Sequence, residues 1–198
     1  MSYLLAKRIF DCILSSVGLF LFFPVISIVA VLIFLEDGLP ILYIKKSLGM
    51  DGKLFNMLKF RSMKGGTLSV TKVGRILRAT ALDELPQLTN IIKGEMSFVG
   101  PRPYSIDYYG ISKDFQGKIF QSSLGRKDME IFARRLKIKP GLTGLAQVFA
   151  PKHACDEEVL RWDVQYIKER SFLLDLKIIF LSIWISFVGR WEHRNNKL

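Results

Sequence analysis

CILSSVGLFLFFPVISIVAVLIFL, running from Cys12 to Leu35, holds no charged residue. As a helix at about 1.5 Å per residue it would reach roughly 36 Å, more than the ~30 Å hydrocarbon core of a bilayer. The run is too long for the apolar core of a secretory signal, and no A-x-A cleavage pattern follows it. Pro24 sits at its midpoint, where it removes a backbone donor and kinks a helix. Lys7 and Arg8 precede the run, and Lys45, Lys46, Lys53, Lys59, Arg61 and Lys64 follow it. Cationic flanks stay on the cytoplasmic side, so both ends prefer the same side. These features predict a re-entrant membrane helix hairpin over residues 1–38, a helix-break-helix that dips into one leaflet. Lys7, Arg8 and Pro24 are its expected anchoring residues. A single spanning helix is the alternative.

Hydrophobic residues make up 49% of the 198-residue chain while 24% are charged, and mean hydropathy is +0.24. A membrane-embedded piece joined to a charged globular piece over residues 39–198 reconciles the two figures. The 29 Lys and Arg against 18 Asp and Glu leave a formal charge of +11. That surplus favours a polyanionic partner: nucleic acid, anionic lipid or a phosphorylated substrate. Two cysteines, Cys12 and Cys155, and two histidines, His153 and His193, lack any zinc-ligand spacing.

Beyond the apolar run, Ile41 to Ile44 and Leu54 to Phe60 read as strands around the turn signal Asp51-Gly52, a small β-hairpin. Thr71 to Arg78 predicts a basic helix capped by Thr71, and Pro86 to Lys93 a second one closed by Gly94. Ser112 to Lys137 predicts a helix interrupted near Gly125, and Pro140 to Gly144 a turn-rich stretch. A last helix is expected to start near Glu157 and to run, straight or with a bend, to Val188. Its segment Phe172 to Val188 contains only Asp175 and Lys177 as charges, and suits either a core or a membrane-interfacial position. Trp184 and Trp191 are residues of interfacial depth. The fold class is therefore α+β and mostly helical.

Chemistry concentrates in Leu82-Asp83-Glu84-Leu85-Pro86-Gln87. Pro86 fits only the first turn of a helix, which places Asp83 and Glu84 at or next to its start. There the free amides lower a carboxylate's pKa and attract phosphate. Arg102 lies between Pro101 and Pro103, which restrict its backbone and make its guanidinium a rigid fork for phosphate or carboxylate. Lys59 and Arg61 add cations at a strand end, and Arg75 and Arg78 lie three apart on one helix face. Each feature alone is also an ordinary cap, salt bridge or solvated face.

In combination they resemble the small monotopic phosphoglycosyl transferases, the bacterial sugar transferase family. The matching pieces are, in order, Lys7 to Asp11, the apolar run with Pro24, Lys59 to Met63, Val73 to Arg78, Leu82 to Gln87, Lys93 to Pro103, Lys139 to Gly144, and Asp163 to Ile167 with Ser171 and Asp175. The resemblance implies a cytosolic catalytic domain with interfacial helices at the cytoplasmic face of the bacterial inner membrane. It implies Asp83 and Glu84 as catalytic residues and Mg²⁺ ligands, with Asp83 as the nucleophile. Lys59, Arg61, Arg75, Arg78 and Arg102 become candidates for substrate phosphate. The implied partners are a UDP-sugar, a polyprenol phosphate such as undecaprenyl phosphate, and membrane lipids, with no nucleic acid; a homodimer is left open. No Asp-x-Asp metal motif of ordinary sugar-nucleotide transferases occurs. Departures from the family pattern fall at Lys45 and Ser47, at Phe149-Ala150-Pro151, and in the long stretch from Tyr104 to Lys139. The rival readings are a non-catalytic membrane scaffold of glycan assembly and a basic nucleic-acid-binding protein. Release of UMP from a UDP-sugar separates them.

Overall fold

A computed structural model of the chain describes residues 3–65, 69–104, 126–150 and 156–188. The first element is one long helix, α1 (Tyr3–Asp37), with Pro24 inside it. The expected break into two helices is thus absent, and the chain stays helical through the proline. Pro24 has no N–H to offer the Phe20 carbonyl; Ser27 Oγ donates back to the Phe23 carbonyl at 2.9 Å.

Lys7 and Arg8 turn inward. Lys7 Nζ pairs with Asp175 at 2.7 Å. Arg8 donates to the carbonyls of Ile91 and Ile92 at 2.6 and 2.7 Å, at the carbonyl end of a helix where a cation is favoured. They anchor α1 to the body of the protein, so the basic flank read from the sequence is committed to internal contacts at these two positions. The other end of α1 is fastened too. Glu36 accepts from the amides of Lys72 and Val73 at 2.6 and 2.9 Å, and Arg61 grips Asp37 and Gly38.

Strands β1 (Leu42–Leu48) and β2 (Leu54–Phe60) pair antiparallel, Leu42 opposite Phe60 and Leu48 opposite Leu54. The turn places Asp51 at φ 55° and Gly52 at φ 73°, as the Asp-Gly signal requires. β1 runs four residues past Ile44 and takes in Lys45 and Ser47. Helices α2 (Lys72–Thr80) and α3 (Gln87–Lys93) follow. Thr71 caps α2 by accepting from the Gly74 amide at 2.8 Å, and Gly94 at φ 82° closes α3.

β3 (Ser97–Val99) pairs in parallel with β4 (Gly141–Thr143). That strand replaces the expected turn at Pro140 to Gly144. The two backbones meet so closely that a Cβ on Gly141 would sit 2.1 Å from the Gly100 amide nitrogen. α4 (Arg126–Arg135), α5 (Leu145–Phe149), α6 (Asp156–Glu169) and α7 (Phe172–Val188) complete the chain. The expected last helix is therefore two, with Ser171 accepting from the Leu174 and Asp175 amides to start the second. The start of the helix expected from Ser112, and Trp191, lie outside the described residues.

Among the described residues, three apolar clusters hold most of these elements together. Leu88, Ile91 and Met96 pack with Phe55 and Met57, and Leu19 of α1 joins them. Val29 and Ile33 of α1 pack with Phe60 and Leu77. Val99, Val148, Tyr166, Ile178 and Ile185 join β3 to α5, α6 and α7. Each fully buried aliphatic side chain contributes roughly 1.5–3 kcal/mol. Away from these contacts α1 and α7 expose apolar faces, with Phe20, Leu21, Phe23 and Leu35 on one and Leu173, Phe180, Trp184 and Phe187 on the other.

Candidate active site

Asp83 and Glu84 occupy a short 3₁₀ turn, Leu82–Glu84, between α2 and α3. Ala81, at φ 58°, ends α2 and turns the chain into it. The carboxylates therefore precede α3, with Pro86 as its N-cap, and do not sit on the helix itself.

Three cations act on the pair. Lys59, near the end of β2, donates to Glu84 Oε1. Lys59 and Arg78 draw on Asp83, and Arg102 draws on Glu84 from the loop after β3. Partial burial pushes Asp83 up to about 6, and the neighbouring Glu84 charge adds to it, against Lys59 and Arg78. This reverses the lowering expected from a helix start, because desolvation and a like charge outweigh a three-residue turn. Burial also disfavours the Glu84 carboxylate, but Lys59 and Arg102 overcome it and hold the group below its ordinary range. The adjacent carboxylates thus differ: Glu84 is held as the anion, and Asp83 is the more basic of the two.

Of the five candidate cations, the structure brings Lys59, Arg78 and Arg102 to the pair. Arg61 is used at the end of α1, where it donates to the Asp37 and Gly38 carbonyls at 2.8 and 2.6 Å. Arg75 is exposed on α2, one turn before Arg78.

Asn90 escaped the sequence reading. Its side chain takes the Leu58 amide at 3.1 Å and gives hydrogen bonds to the Asn56 carbonyl and Glu95 at 2.8 and 2.6 Å. It fixes β2 one residue before Lys59. Nothing in the sequence of α3 marks it, since Gln87 and Thr89 are polar as well.

Among the described residues no three Asp, Glu, His or Cys side chains converge on one point. Two adjacent carboxylates are the type of donor that Mg²⁺ takes, since that ion is ordinarily held by one or two carboxylates together with substrate phosphates.

Residues 2–189 match the family described as bacterial sugar transferase. The chain is 35% identical to a Klebsiella pneumoniae UDP-glucose:undecaprenyl-phosphate glucose-1-phosphate transferase, over 93% of its own length and 40% of that protein's. It is 34% identical to the uncharacterized sugar transferase EpsL of Bacillus subtilis, over 91% of its length and 86% of that protein's. An Aeromonas hydrophila UDP-N-acetylgalactosamine-undecaprenyl-phosphate N-acetylgalactosaminephosphotransferase is 32% identical over 94% of the chain and 45% of that protein. The chain spans about two fifths of the first of these relatives.

Proposed function

The chain belongs to the bacterial sugar transferase family, and from that premise we propose that it is a phosphoglycosyl transferase moving a phosphosugar from a UDP-sugar to a polyprenol phosphate. The observation that carries the reading is the unequal carboxylate pair ringed by Lys59, Arg78 and Arg102. A carboxylate attacking a diphosphate needs cations to offset charge repulsion, and here Lys59 and Arg78 act on Asp83 while Arg102 acts on the adjoining Glu84.

In the first half-reaction an Asp83 oxygen attacks the phosphorus that bears the sugar. The bond from that phosphorus to the bridging oxygen breaks, and UMP leaves with the electron pair. The product is an aspartyl-phosphosugar. In the second, an oxygen of the polyprenol phosphate attacks the same phosphorus and frees the Asp83 carboxylate. The product is a polyprenyl-diphosphate sugar. Arg102 and Arg78 hold phosphate oxygens, and Lys59 keeps Glu84 ionised and oriented. Asp83 and Glu84 would hold Mg²⁺ together with the diphosphate, and the bound ion supplies charge neutralisation on the phosphates.

The lipid substrate calls for a site at a membrane surface. Both ends of α1 are fastened to one body, through Lys7–Asp175 and through Glu36 and Asp37. A helix so held does not carry one end across a bilayer away from the other. Its apolar outer face, with that of α7, supports a monotopic seat in the cytoplasmic leaflet of the inner membrane.

Enzyme and UDP-sugar without lipid should release about one equivalent of UMP and gain the mass of a phosphosugar, since a covalent intermediate separates the two halves. Asp83→Asn should abolish the adduct. No adduct, with UMP appearing only when both substrates are present, would mean direct transfer.

A further inference from the structure

Arg102 is useful to a phosphate only if its loop holds still, and its flanking prolines offer no N–H to pin that loop. The carbonyls do the pinning. Pro101 O accepts from the Gly141 amide at 2.8 Å, and Tyr104 O from the Leu48 amide at 2.9 Å. Between them, Arg102 O accepts from Nη2 of Arg135, the last residue of α4.

Arg135 is 3% exposed, a charge withdrawn from water. Its guanidinium lies 3.8 Å above the centre of the Tyr104 ring, and its Nε is 3.3 Å from Asp163 Oδ2 of α6. Asp163 is itself 2% exposed. A buried ion pair of this kind often adds nothing over a hydrophobic replacement of like shape, so net stability is a poor account of it. The geometry offers another. One planar group bonds the Arg102 backbone, stacks on the ring two residues later, and is aimed by a carboxylate from a separate helix. Only guanidinium has the fork and the flat face to do all three.

We propose that Arg135, oriented by Asp163, is a positioning residue that sets the Arg102 loop for phosphate binding. The proposal rests on the reading of Arg102 given above. It assigns no contact between Arg135 and substrate.

The test is a double-mutant cycle on UMP release by the full chain in bilayer nanodiscs, with melting temperature recorded for every variant. Arg135→Lys keeps a charge beside Asp163 but loses the fork. It should lower kcat/KM by about 10- to 100-fold, as supporting residues do when removed. Arg102→Ala should lower it as well. In the Arg102→Ala background, Arg135→Lys should cost less than about threefold further, because no guanidinium remains to position. Arg135→Gln provides the same comparison without the charge. If Arg135→Lys and Arg102→Ala multiply, Arg135 acts independently of Arg102 and the proposal is wrong, although Arg102 keeps its role. If Arg102→Ala alone leaves UMP release unchanged, the reading of Arg102 fails, and the positioning role falls with it. If the loss for Arg135→Lys simply follows the fraction unfolded, the pair serves the fold alone.

Discussion

Arg102 projects an exposed side chain from a loop whose carbonyls are held from behind. Removing that side chain should leave the fold nearly untouched. Losing one preorganised donor costs about 2–4 kcal/mol in a transition state, so Arg102→Ala should lower kcat/KM by roughly 30- to 1,000-fold with little change in melting temperature. A melting temperature that falls in step with activity would show a structural salt bridge instead. Asp163 gives a test by pH. Burial, only partly offset by Arg135, pushes it up to about 6, against about 3.9 in an unfolded chain. The folded state then binds more protons between those values, so Asp163 costs stability as pH rises from about 4 to 6, by about 3 kcal/mol at most. Asp163→Asn should remove that part of the slope, read from melting temperatures between pH 4.5 and 6.5. Arg102 could be found in the sequence because its prolines mark it. Arg135 could not, and Asp163 enters only as part of a family motif with no role attached: each is a charge in a polar helix pattern, and only α4 packing on α6 buries them.

At the scale of elements, α2 shows how little room the site leaves. A Cβ on Gly74 would lie 2.0 Å from the Ser62 carbonyl oxygen, which itself accepts from the Thr71 amide at 3.1 Å. Gly74→Ala must push α2 and Arg78 away from the end of β2. We expect a loss of about 2–3 kcal/mol, a fall in melting temperature on the order of 5–10 °C, and weaker UMP release. A melting curve that stays within about a degree would refute this. The β1–β2 hairpin and both caps of α2 and α3 were legible because turn and cap chemistry is local. The β3–β4 pair was not, since three-residue strands joined across some forty residues leave no periodic trace. The dyad's own 3₁₀ turn was also hidden: Pro86 announces a helix start and says nothing of how Ala81 reverses the chain ahead of it.

For the whole molecule, cysteines near residue 2 and at Asp51 should label from the same cytoplasmic side in intact cells, and opposite sides would rule out the monotopic seat. A charge placed on the outward face, as in Phe187→Asp, where the side chain is 85% exposed, should loosen membrane attachment without unfolding the protein. The internal ties of α1 carry a practical consequence. Its inner face supplies Leu19, Val29 and Ile33 to two of the three cores, and its last turn caps the helix that bears Arg78. A chain trimmed to begin at residue 39 in search of a water-soluble enzyme would lose core and cap together, and should be recovered as aggregate. Solubility must instead be sought by recolouring the helix: polar residues at Phe20, Leu21, Phe23 and Leu35, with every inward side chain left as it is.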